Sequence, residues 1–168
     1  DVIYWIDQCV RYCDDMLVNT FGIEPADITY IENPWSGGGN AGPALEVIVG
    51  GLELATLVFM NLEEHEDGDV EIKGLRYREM PLQIIDTGYG LERFCWAAAG
   101  TPTIYEAIYP ESVGWLKQIV GFDSMVEGLG LGVDTDDLLA ELSQLAGILN
   151  IDVGTDVDSL YQRLVERL

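Results

Sequence analysis

Apolar positions at Val2, Trp5, Ile6, Cys9, Val10, Cys13, Met16 and Leu17 recur at helical spacing, which predicts an amphipathic helix over residues 2–18. Gly22 is placed to cap its end. The period then changes to two at Ile28–Ile31, a short strand. Residues 33–43, Asn-Pro-Trp-Ser-Gly-Gly-Gly-Asn-Ala-Gly-Pro, are read as a loop because glycine and proline dominate. Two strand-like runs follow, Leu45–Val49 and Leu52–Leu62, and Gly50-Gly51 between them marks a hairpin. Glu63–Lys73 reads as a charged excursion turning near Asp67-Gly68, and Leu82–Ile85 as a short apolar strand entering Asp86-Thr87-Gly88. Beyond Gly90 the helical period returns with Leu91, Phe94, Cys95 and Ala98. From Thr101 onward only helices are expected, among them Asp134–Leu149 and Asp156–Leu168, each opened by an aspartate cap.

These elements predict an α+β part over residues 1–109 and an all-helical part over 110–168. With 168 residues, 48% of them hydrophobic, and a mean hydropathy of +0.14, the chain can build a core. No apolar run reaches the roughly 18 residues of a membrane span. The first residues show neither methionine nor a signal-peptide pattern, and the last helix has no stop signal, so the sequence reads as part of a longer protein.

Charge changes the picture more. Thirty acidic residues against eight basic ones leave a net −22, and the excess is even: 18 acids to 5 bases in residues 1–100, 12 to 3 in the rest. Such a surface repels itself in dilute salt and is relieved in molar salt, which points to a salt-rich cytoplasm; a merely acidic domain is the plainer alternative. Non-specific nucleic-acid binding is disfavoured. Cys9, Cys13 and Cys95 have no framework spacing, His65 is the only histidine, and no second ligand pair exists, so Cys9 and Cys13 are expected as two small buried thiols, with no zinc.

The densest chemistry lies at Asp86-Thr87-Gly88-Tyr89-Gly90-Leu91-Glu92-Arg93. An apolar strand ends in a carboxylate, glycines permit close approach of a ligand, and an arginine enters an apolar helix, where it needs a partner. Taken alone, Asp86 could equally be a helix cap and Arg93 a solvated residue.

This run, with Val58-Phe59-Met60 and the Trp35…Gly42-Pro43-Ala44-Leu45-Glu46 block upstream, resembles motif 3 and its surroundings in class II aminoacyl-tRNA synthetases, in particular alanine-specific members of archaeal type. The resemblance covers roughly residues 1–110 and implies the class II antiparallel sheet, with residues 110–168 opening the tRNA-recognition helices. It implies that Asp86 holds the α-ammonium of alanine, that Trp35 and Val58 wall the amino-acid pocket, and that Gly88 leaves room for the ligand. Thr56 stands where many relatives carry Asn and would contact the substrate. Arg93, with Gly88 and Gly90, would bind ATP. Glu53 is a candidate for Mg²⁺ on the phosphates and equally a cross-strand surface residue, while Glu46 receives no role.

The implied partners are alanine, ATP and tRNA(Ala). Motifs 1 and 2 and an editing domain are not found in these residues, so little or no activity is expected of this piece alone. Two other readings compete: a non-catalytic acidic α+β binding or regulatory module, and a hydrolase pairing Glu53 with Asp86.

Overall fold

A computed structural model describes residues 3–130, 132 and 134–149. The chain divides into two compact units, Asp1–Phe94 and Cys95–Leu168. The expected helix at 156–168 lies outside the described residues.

In the first unit, helix α1 spans Ile6–Asp15 and runs on through a π-helical turn, Met16–Thr20, to Gly22 at φ +72°. It begins four residues later than its apolar period, because Trp5 is extended and sets its ring edge-on to Phe59 at 5.7 Å. Cys9, Cys13 and Leu17 form the buried face. Burial pushes both thiols upward in pKa, so they remain protonated core side chains.

Seven antiparallel strands follow: β1 Ile28–Glu32, β2 Trp35–Gly37, β3 Asn40–Gly42, β4 Ala44–Val49, β5 Leu52–Glu64, β6 Val70–Ile72 and β7 Leu75–Tyr89. β5 is the spine, with β4 and β3 pairing along it on one edge and β7 on the other. β1 lies outside β4, β2 outside β3, and β6 outside β7.

Two sequence expectations are corrected here. Residues 33–43 are not a plain loop: β2 and β3 form a tight hairpin about Gly38-Gly39, whose φ values of +59° and +83° suit the two-residue turn that matches strand twist. Gly42 then passes so near β5 that a Cβ would sit 2.0 Å from the Phe59 carbonyl oxygen. The 63–73 excursion contains β6, and β7 begins at Leu75 rather than Leu82. Its first half carries Arg76, Arg78 and Glu79, whose charges hide the strand period, while Tyr77 on the same stretch is buried.

One face of the sheet holds the core. Val47, Leu54, Ala55, Leu57 and Phe59 pack with Cys9, Cys13 and Leu17, and Ile85 and Phe94 close its margin. A smaller cluster joins Ala41, Leu62 and Tyr77.

Helix α2, Leu91–Ala99, leads into the second unit, which is helical among its described residues: α3 Ile104–Ile108, α4 Pro110–Val120, α5 Phe122–Gly128 and α6 Thr135–Leu149. Thr103 and Glu106 close a capping box on α3, and Asp134 caps α6 by accepting from the Asp136 and Asp137 amides. Lys117 joins these helices, 2.6 Å from Glu106 and 3.4 Å from Asp136. Burial alone would raise the Glu106 carboxyl, but hydrogen bonds from Lys117 and Thr103 outweigh it and hold it below the ordinary range.

A carboxyl depressed on folding contributes stability that is present at neutral pH and is lost as pH falls through its lowered value. Glu106→Gln keeps the cap but removes the charge. Its unfolding free energy is therefore expected to be lower at pH 7 and flatter between about pH 5 and pH 3, as read by urea melts across that range. A second expectation follows from charge. Among the described residues only four side-chain ion pairs form, at Glu63, Glu53, Glu106 and Asp136. Raising KCl from about 0.1 M to about 2 M screens the unpaired carboxylates and should lift the thermal midpoint by roughly 5 °C or more, measured by circular dichroism.

Candidate active site

Strand register decides which of the candidate residues meet. Across β4, β5 and β7, Ala44 pairs with Val58 and Val58 with Asp86; in the next row Glu46 pairs with Thr56 and Thr56 with Gly88. Directly opposed residues share a face, and this one is the reverse of the face packed on α1, since Leu57 and Phe59 alternate with these positions. Val58 is 6% exposed, whereas Asp86 is exposed and stands beside it. No atom lies within 4 Å of where a Cβ on Gly88 would be, so the backbone there borders open space.

Glu53 joins this face through an irregularity. Val47 pairs with Ala55 but Ile48 pairs with Glu53, so Leu54 is the extra residue of a β-bulge. In a regular strand Glu53 and Thr56 would point to opposite faces; the bulge turns them to the same one. Thr56 Oγ1 donates to Glu53 Oε1 at 2.5 Å. Glu53 Oε2 lies 3.2 Å from Arg93 Nη1, which also donates to the Glu53 carbonyl at 2.9 Å. The Gly90 amide donates to the Leu54 carbonyl at 2.9 Å, which docks the start of α2 on the bulge. A Cβ on Gly90 would come 2.9 Å from Arg93 Cδ, so the missing side chain makes room for the arginine stem.

The expected site residues therefore gather unevenly. Val58, Asp86, Thr56 and Gly88 form two adjacent rows, with Glu53 and Arg93 beyond them at the same end of β5 as Gly90. Trp35 is not in either row: it lies on β2 opposite Gly42, its indole across Gly37, where a Cβ would be 2.8 Å from Cζ2. Glu53 and Asp86 are separated by the Thr56–Gly88 row, so the paired-carboxylate arrangement of a hydrolase does not form. Glu46, without a role in the sequence reading, occupies the Thr56 row and accepts from Asn33 Nδ2 at 2.6 Å. The bulge was also missed; its trace in the sequence is the doubled apolar pair Leu54-Ala55 where strict alternation would place a polar residue.

Among the described residues no three His, Cys, Asp or Glu side chains come together as a metal cluster. The Glu53 carboxylate keeps lone pairs beyond those used by Thr56 and Arg93, so it can serve as one oxygen ligand of a hard ion such as Mg²⁺ that draws its other ligands from phosphate and water.

The sequence that builds this sheet, with its polar row and helix-borne arginine, has known relatives. Residues 2–163 match the family described as tRNA synthetases class II (A), and the chain belongs to that family. Its relatives narrow the description. An alanine–tRNA ligase of Archaeoglobus fulgidus is 54% identical over 98% of this chain and 18% of its own length. Alanine–tRNA ligases of Natronomonas pharaonis and Halorubrum lacusprofundi are 47% and 46% identical, each over 99% of the chain and 17% of the relative. The chain thus spans less than a fifth of the length of the curated relatives it matches.

The Arg93–Glu53 pair is 41% and 35% exposed on its two sides, so solvent screens it. A double-mutant cycle with Arg93→Ala and Glu53→Ala is expected to give a coupling of about 0.2–1 kcal/mol in unfolding free energy. A coupling well above that would mark the pair as a structural brace.

Proposed function

We propose that this chain supplies the amino-acid and nucleotide contacts of the activating site in an alanine–tRNA ligase. The observation that carries the reading is the row Ala44–Val58–Asp86, in which an exposed carboxylate stands beside a buried valine, next to the open space over Gly88. Asp86 receives the α-ammonium of alanine, an opposite charge that orients the zwitterion. Val58 meets the methyl group and limits side-chain volume, and Trp35 closes the pocket as an apolar wall in the assembled ligase. A pocket of this kind separates substrates by size but only weakly rejects an added hydroxyl.

ATP is held by Arg93, whose planar, permanently charged guanidinium can stack on a base and pair with phosphate. Mg²⁺ held at Glu53 would neutralise phosphate charge when bound. The chain's own residues do the positioning: with alanine fixed at Asp86 and ATP at Arg93, a carboxylate oxygen of alanine faces the α-phosphorus. The new P–O bond forms as the α–β phosphoanhydride breaks, pyrophosphate leaves, and alanyl-adenylate remains. The terminal ribose hydroxyl of tRNA(Ala) then takes the alanyl group and AMP departs. The acidic surface suits this work to a salt-rich cytoplasm.

The test uses a non-hydrolysable alanyl-adenylate analogue and the thermal unfolding of the chain. At about 100 times its dissociation constant the analogue should add about 2.7 kcal/mol to stability. Gly88→Ala, with no neighbour to strike, should fold as well as the parent yet lose this gain; Asp86→Asn should lose it too. No gain in the parent chain, or an equal gain in Asp86→Asn, would overturn the reading. ATP–pyrophosphate exchange by the chain alone is expected to be a small fraction of that of a full-length ligase.

A further inference from the structure

Thr56 was expected to touch the amino acid, yet its only hydroxyl proton is committed to Glu53 Oε1 at 2.5 Å. That bond leaves Oε2 facing Arg93 Nη1 at 3.2 Å, and the same nitrogen donates to the Glu53 carbonyl at 2.9 Å. Glu53 therefore holds Arg93 at two points, by its side chain and by its backbone. The backbone point is supplied by the bulged segment at Leu54, which also docks Gly90. The side-chain point depends on which way the Glu53 carboxylate is turned, and the Thr56 hydroxyl is what turns it.

We infer that Thr56 is a positioning residue for the nucleotide: acting through Glu53, it holds the Arg93 guanidinium in one orientation before ATP arrives. Rotational freedom of a long arginine side chain that is removed in advance need not be removed on binding. The register gives an independent reason. Thr56 lies in the row between Asp86 and Glu53, so a hydroxyl there can reach toward either end, and it is bonded toward the arginine end. The inference rests on the reading of Arg93 as the ATP contact, and the assignment of Thr56 to the nucleotide rather than to alanine goes beyond it.

The variants are Thr56→Val, which keeps shape and removes the hydroxyl, and Thr56→Ser, which keeps the hydroxyl. Both are placed in a full-length ligase in which this chain replaces the matching segment of the Archaeoglobus fulgidus relative, and ATP–pyrophosphate exchange is measured. Thr56→Val is expected to raise the KM for ATP about threefold to fivefold while the KM for alanine stays unchanged, and Thr56→Ser is expected to restore the ATP value. A merely structural role would move both KM values together. In the chain alone, the Arg93 guanidinium protons, followed by ¹⁵N NMR, should exchange faster in Thr56→Val and return to the parent rate in Thr56→Ser. The inference is overturned if Thr56→Val shifts the KM for alanine instead, if neither KM moves, or if the Arg93 protons are indifferent to the hydroxyl. No exchange by the unsubstituted hybrid, with no analogue-induced stabilisation of the chain, would overturn the site reading itself.

Discussion

The site depends on a single extra residue. Period-two alternation along β5 would place Glu53 on the face that packs against Cys9, Cys13 and Leu17, where a carboxylate would be stripped of water with no partner. The bulge at Leu54 avoids that cost by placing both Leu54 and Ala55 in the core and returning Glu53 to the polar face. Beside the bulge the Leu54 carbonyl accepts from the Gly90 amide and the Glu53 carbonyl accepts from the Arg93 guanidinium. Together these two bonds anchor the start of α2 on β5.

Stability and chemistry are divided between the two faces of one sheet. The α1 face is apolar and closed, and its thiols stay protonated because burial disfavours their charged form. The opposite face carries Glu46, Thr56, Val58, Asp86 and Gly88 in two adjacent rows, in which Val58 is buried and Asp86 is exposed. Because β5 is paired on both edges, its register is over-determined, and the polar rows inherit that rigidity without contributing much to it.

Charge is used sparingly in a chain this acidic. With only eight basic residues, each arginine or lysine that is held in place has a distinct task. Arg78 spans β7 and β5 to Glu63, Lys117 ties Glu106 and Asp136 within the helical unit, and Arg93 is held at Glu53. Arginine differs from lysine at this position: its planar guanidinium keeps further donor nitrogens beyond the one bound at Glu53, which a point charge does not.

Much of this was legible along the chain, because helical and strand periods are local properties. The amphipathic first helix, the β4–β5 hairpin at Gly50-Gly51, the helices among the described residues from Ile104 to Leu149 with the aspartate cap at Asp134, and the Asp86–Arg93 run could all be read from residue order. The β2–β3 hairpin could not, since Gly42 is required by a backbone passing from a distant strand, and the charged first half of β7 is a strand only because β5 and β6 pair with it. The resemblance likewise singled out Asp86, Thr56 and Glu53 but not their partners. Whether two side chains meet depends on register and on bulges, and those are settled only when strands far apart in sequence lie side by side.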